Sequence, residues 1–235
     1  MVEMTSFAPS GTALVVGATG GIGRALVEAL EASGRFATVH GASRGGRRVI
    51  DYDRPGTVPA AFEDLGELDL VVVATGLLHE GDLQPEKSMR ALDAERLARA
   101  YRVNAIGPAL VAREALPRMA RGRKTAFAAL SARVGSIEDN RIGGWHGYRA
   151  AKAALNMLIR NLAIEHARRW PEGLVVGLHP GTVDTGLSKP FQRGVPEGGL
   201  FTPDRSADAL LGVLDGLQPG DTGGVFDWRG ERIPG

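Results

Sequence analysis

Ala13-Leu14-Val15-Val16-Gly17-Ala18-Thr19-Gly20-Gly21-Ile22-Gly23 reads as a strand, a glycine turn and the opening of a helix. The apolar run from Ala13 to Val16 suits a buried strand, and Ile22, Leu26, Val27 and Leu30 then fall on one helical face. Strand, glycine turn and helix in that order are the context a phosphate-binding motif needs. The glycines allow a tight turn and a close approach of backbone to a pyrophosphate. That group then meets the free N–H groups and positive dipole end of the helix. The predicted cradle is Gly17, Thr19, Gly20, Gly21, Ile22 and Gly23.

Outward from this segment, short apolar strands alternate with amphipathic helices. Strands are predicted at 12–17, 36–41, 47–51, 68–74, 124–130, 173–179 and 224–227, and helices at 21–33, 57–64, 93–119, 147–169 and 204–216. The alternation predicts an α/β fold of Rossmann type: a doubly wound, mostly parallel seven-stranded sheet with helices on both faces. With 235 residues and no internal repeat or linker, one domain over 1–235 is expected. Gly/Pro-rich residues 186–203 form the one long irregular loop, a candidate substrate lid.

Composition narrows the function classes. Lys and Arg total 28 against 27 Asp and Glu, a net charge of +1 that gives no drive toward nucleic acid or an anionic membrane. Cysteine is absent, which excludes disulfides and thiolate metal sites, and the five histidines show no paired metal-ligand spacing, so no metal is expected. No apolar run approaches the ~20 residues of a membrane helix. No basic segment leads into an apolar core at the N-terminus, so the expectation is a cytoplasmic protein.

Tyr148 and Lys152 stand four residues apart on the 147–169 helix, one turn apart on one face. A positive charge beside a phenol favours the phenolate, so the spacing predicts a tyrosine shifted down from its usual pKa of ~10 toward acid–base work. The same helix carries apolar residues over most of its circumference, from Ala150 to Ile164. A helix covering one sheet face needs one stripe. The excess predicts a homodimer or homotetramer built through the 93–119 and 147–169 helices.

Near the end of the second strand, Ala42-Ser43-Arg44 stands where an NAD site wants a carboxylate for the ribose hydroxyl. Arginine matches phosphate geometry and serine adds a donor, with Arg24 nearby after Gly23. NADP(H) is therefore expected over NAD(H).

Together these segments resemble the short-chain dehydrogenase/reductase family in its compact single-domain form, over roughly residues 12–228. The resemblance rests on Gly17-x-x-x-Gly21-x-Gly23, Tyr148-x-x-x-Lys152, Val103-Asn104-Ala105-Ile106-Gly107 and Pro180-Gly181-Thr182-Val183-Asp184-Thr185. Ser131-Ala132-Arg133-Val134-Gly135-Ser136-Ile137 with Gly143-Gly144-Trp145 resembles the C-factor-like and sniffer-like carbonyl reductase branch. The resemblance implies a catalytic set of Tyr148, Lys152, Ser131 and Asn104, the asparagine holding a proton-relay water on its backbone carbonyl. It implies cofactor contacts from Ala74, Thr75 and Gly76, from Tyr148 and Lys152, and from Pro180, Gly181, Val183 and Thr185. Asp51 would cap the adenine.

Two departures stand out. Ala74-Thr75-Gly76 lacks the family's strand-four asparagine, and Thr75 supplies a hydroxyl but no amide. Ala132 occupies the family's serine register, leaving Ser131, at the strand end, and Ser136 in competition. The implied activity is reversible hydride transfer between a nicotinamide and a small carbonyl or secondary alcohol. The alternative is a cofactor-binding signalling or regulatory protein of the same fold. An epimerase or dehydratase is disfavoured, because only about thirty residues follow residue 203. Leu77, Leu78, Trp145, Leu187, Phe191 and Phe201 are candidates to line an apolar pocket.

Overall fold

The structure, a computed structural model, describes residues 2–235. Among these, β1 (Gly11–Val16), β2 (Phe36–Ser43), β3 (Arg48–Val49), β4 (Leu70–Val73), β5 (Thr125–Leu130), β6 (Gly173–His179) and β9 (Val225–Asp227) form one seven-stranded sheet in the order β3-β2-β1-β4-β5-β6-β9. Every pairing is parallel, so the expectation of a mostly parallel sheet is exceeded. The chain starts at β1, winds outward through β2 and β3, then returns past β1 to β4. That reversal opens a crevice at the carboxyl ends of β1 and β4, where such sheets bind ligands.

Side chains alternate across the sheet and divide the core in two. Leu14, Val16, Val71, Val73 and Phe127 pack toward Val111, Ala112, Leu155 and Ile159. These last belong to α4 (Gly107–Ala115) and α5 (His146–Ala167). Ala13, Val15, Leu70 and Val72 pack on the other face toward Leu26, Leu30, Leu210 and Leu214, which lie on α1 (Gly21–Ala32) and α6 (Pro203–Gly216). Each fully buried Leu or Val stabilises the fold by about 1.5–3 kcal/mol. Both faces are covered, which explains why β4 and β5 read as continuous apolar runs.

The predicted 57–64 helix shrinks to one turn, α2 (Thr57–Ala60). Arg48 takes the reason with it: its guanidinium donates to the Ala61 carbonyl and to Asp64 Oδ2 at 3.0 Å. That ties the following residues to β3 instead of to another helical turn. β3 itself spans two residues where five were predicted. The predicted 93–119 helix is four pieces: α3 (Ala94–Tyr101), a π turn over Arg102–Ile106, α4, and a 3₁₀ turn over Leu116–Arg118.

The 186–203 loop is closed at its base by a two-strand parallel pair, β7 (Thr182–Val183) with β8 (Leu200–Phe201). A 3₁₀ segment, Lys189–Gly194, crosses its middle.

Candidate active site

The glycine turn behaves as the sequence predicts. Gly17 has φ +89, a left-handed value open to glycine, and its N–H donates to the Ala42 carbonyl of β2 at 2.8 Å. A Cβ on Gly23 would overlap the Gly17 carbonyl, so the helix can pass this close to the strand only without one. α1 begins on Gly20 with no side-chain cap and no acidic residue in its first turn among the described residues. Uncapped N–H groups and an absence of repelling carboxylates fit a pyrophosphate. Thr185 packs its methyl against Gly21, joining this turn to the Pro180–Thr185 segment.

A crevice of about 240 Å³ runs outward from the turn, lined by Gly17, Thr19, Gly20, Ser43, Arg44 and, across from them, Ala74 to Leu77. Ser43 is buried and Arg44 is 71% exposed, its guanidinium 3.6 Å from Glu80. Glu80 also receives Arg99, which bonds both oxygens of Asp53 at 2.7 Å. Arg102 completes the string on Asp53 at 3.1 Å. The Asp51 carboxylate instead accepts from the Asp53 N–H and from Arg54, which holds its pKa below the usual carboxylate range. The acids that line the crevice are Asp53, two residues on, and Glu80. Arg24 lies exposed on α1 and does not line it.

Tyr52, which sequence reasoning missed, links the crevice to the start of α4. Its ring lies where a Cβ on Gly107 would be, and its hydroxyl is 3.0 Å from Thr75 Oγ1. This pair ties the segment that lacks the expected asparagine. Asn104 is fully buried in the π turn. Its Nδ2 donates to the Leu77 and Ala100 carbonyls at 2.8 and 3.0 Å, and its Oδ1 accepts the Leu77 N–H at 3.0 Å. Four residues on stands Pro108, which has no N–H, so the Asn104 carbonyl loses the donor an α-helix would offer it. That proline was the signal in the sequence for a break in the α-helical ladder at this point. Single π turns of this kind recur at functional sites.

Lys152 is 2% exposed, and its Nζ donates to the Leu130 carbonyl at 2.7 Å, at the end of β5. Nζ lies 5.7 Å from the centroid of the Tyr148 ring, so the two side chains meet as their spacing predicts. Their protonation corrects the sequence reading. Burial pushes the Tyr148 phenol up to about 12 and the Lys152 ammonium down to about 7. Desolvation disfavours both charged forms here and outweighs any help the lysine gives the phenolate.

Both candidate serines are buried and engaged. Ser131 Oγ donates to Asn156 Oδ1 at 2.6 Å, while Ser136 Oγ donates to the Gly235 carbonyl and accepts the Asp139 N–H. Ser131 follows β5 directly, beside the carbonyl that holds Lys152; Ser136 ties down the far end of the chain.

Above Tyr148, Trp145 packs edge-on with ring centroids 6.3 Å apart, and Phe191 of the 186–203 loop meets Trp145 at 5.2 Å. His79 Nε2 lies 3.0 Å from the Gly186 carbonyl, and Leu187 touches the space beside Gly76. Leu77 and Leu78 are buried beneath, and Phe201 turns away to pack on Trp228 and Arg205. Pro180 accepts from Ser206 Oγ, Gly181 has φ +78, and Val183 is buried in β7.

A family model described as short chain dehydrogenase matches residues 53–195. The C-signal protein of Myxococcus xanthus is 38% identical over 144 residues, covering 61% of this chain and 81% of that protein. The 1-hydroxy-2-glutathionyl-2-methyl-3-butene dehydrogenase of Rhodococcus sp. strain AD45 is 30% identical over 225 residues, covering 92% and 95% of the two chains. In fold, the NADPH-bound carbonyl reductase from chicken fatty liver superposes with a TM-score of 0.82 at 23% identity, over 97% of this chain and 95% of that one. The model match and the near full-length Rhodococcus relative place this chain in the short-chain dehydrogenase family of oxidoreductases.

Proposed function

We propose that this protein is an NADP-dependent carbonyl reductase, moving hydride reversibly between a nicotinamide and a small carbonyl or secondary alcohol. The carrying observation is the meeting of Tyr148 and Lys152 at the carboxyl end of β5, two strands along the sheet from the uncapped glycine turn. When bound, the dinucleotide supplies the hydride.

The protein's residues supply position and protons. Gly17, Thr19, Gly20, Gly21, Ile22 and Gly23 hold the pyrophosphate, and Ser43 and Arg44 the 2′-phosphate. Ala74 to Gly76 border the adenosine, with Asp53 on the crevice wall in place of the Arg54-bound Asp51. Pro180, Gly181, Val183 and Thr185 border the nicotinamide. Lys152, held on the Leu130 carbonyl, donates to ribose hydroxyls. A phenol raised to about 12 is fully protonated at neutral pH, which suits Tyr148 to donate its proton to a carbonyl oxygen in the reduction direction. Ser131, whose proton points to Asn156, keeps its lone pairs to accept from the alcohol. The Asn104 carbonyl holds the water that returns a proton to Tyr148.

The whole chain acts as one domain in this reading, the 186–203 loop closes over the substrate through Phe191 and Leu187, and the protein works in the cytoplasm. Ile106, Met157 and Ile164 are exposed on the two long helical runs and would be covered in a homodimer or homotetramer. A regulatory protein without turnover is the weaker reading; Lys152 lies buried beside the Tyr148 ring and Asn104 is buried in the π turn, which supports an acid–base role for them.

Replacement of Tyr148 by Phe tests the assignment. NADPH oxidation with a panel of carbonyl compounds should fall about 10²–10⁴-fold, the usual size of acid–base catalysis. Undiminished turnover would end the proposal.

A further inference from the structure

Tyr148 is the third residue of α5, and the first turn of a helix has N–H groups with no partner inside the helix. Most helices satisfy one with a Ser, Thr, Asp or Asn at the cap. Here the cap position is Trp145, whose side chain makes no cap bond and whose ring faces Tyr148 and Phe191. No acidic residue stands in the first turn. Trp145 also has φ 49, after Gly143 and Gly144 at φ 67 and 64. Two glycines adopt that left-handed backbone freely; a tryptophan does so at about 1–2 kcal/mol and needs its surroundings to hold it there.

The missing acceptor arrives from 61 residues upstream. Glu86 is 6% exposed, in the stretch between β4 and α3. Its Oε2 accepts the Gly147 N–H at 3.0 Å, and its backbone carbonyl accepts the N–H of Trp145. A Cβ on Gly147 would sit 2.9 Å from Glu86 Oε1, so glycine at 147 is what lets the carboxylate reach the helix end. One residue thus closes both ends of the strained turn that leads into Tyr148.

We propose that Glu86 is a positioning residue for Tyr148: an external cap that frees position 145 for an aromatic contact while fixing the first turn of α5. The inference rests on the acid–base reading of Tyr148 given above. Misplacing a catalytic group by about 1 Å can cost about 10²-fold in rate.

Glu86→Ala and Glu86→Gln in the full chain test it, read by steady-state reduction of a carbonyl with NADPH and by amide hydrogen exchange at residues 145–149. In Glu86→Ala, kcat should fall roughly 10–100-fold, and KM for NADPH should change less than about twofold, because the Arg44 end of the crevice is untouched. Exchange at 145–149 should accelerate. Glu86→Gln keeps an acceptor oxygen and should recover both readouts to within about threefold of the parent. Parental kcat in Glu86→Ala, or a Gln variant as impaired as the Ala variant, would overturn the proposal, as would unchanged exchange. If the parent reduces no carbonyl while exchange still accelerates in Glu86→Ala alone, the cap stands and the acid–base reading of Tyr148 falls.

Discussion

At the outer end of the crevice Arg44 is 71% exposed and 3.6 Å from Glu80; at the carboxyl end of β5 Lys152 is 2% exposed with a carbonyl at 2.7 Å. The first end is a string of five charges, Arg44, Glu80, Arg99, Asp53 and Arg102, all but Arg99 well exposed, and its exposed pairs are each worth about 0–1 kcal/mol and screened by salt. The second has few charges and its lysine is buried, so the ammonium is both bonded and shifted in pKa. Binding a charged ligand suits the first. Holding a proton on a chosen atom suits the second.

Three measurements would break or sharpen that contrast. The largest effect is expected at Asn104. Replacing it with Ala strands the N–H and carbonyl of buried Leu77, and denaturant unfolding should show a loss of about 2–4 kcal/mol. A loss below about 1 kcal/mol would mean the buried end is less tightly bonded than its distances imply.

Lys152 comes next. Its ammonium titrates at about 7 folded against 10.5 free. Between those values the unfolded chain binds a proton that the folded chain does not, so stability rises with pH. The slope is at most about 1.4 kcal/mol per pH unit. From pH 7.5 to 9 the parent should gain up to about 2 kcal/mol, and Lys152→Met should lose that gain. Parallel curves for the two proteins would show the lysine to be ordinarily solvated.

The smallest effect is expected at the exposed end. Arg44→Ala should weaken NADPH binding about tenfold and NADH binding less than about twofold, as fluorescence titration reads it. The difference should shrink in high salt. Equal losses for both dinucleotides would remove Arg44 from the 2′-phosphate.

Local patterns read out of the chain well. The buried strands, the glycine turn and the Tyr148–Lys152 face depend on residues close in sequence, where periodicity and propensity act. α2 came out shorter because Arg48 makes a contact across 13 residues that no local pattern encodes. Tyr52 meets Thr75 across 23 residues, and Glu86 meets Gly147 across 61. The tyrosine pKa went the wrong way for the same reason: spacing reports a neighbouring charge but not the protein packed around it.

Tyr52 also carries a lesson for anyone wishing to change coenzyme preference. It borders the nucleotide crevice with one edge and rests on Gly107, just past the turn that presents Asn104, with the other. If Ser43 and Arg44 hold the 2′-phosphate as proposed, redesign confined to them would change coenzyme recognition and leave turnover alone. A library that also varied position 52 would disturb the packing on Gly107 as well as the crevice wall, because a single ring touches both.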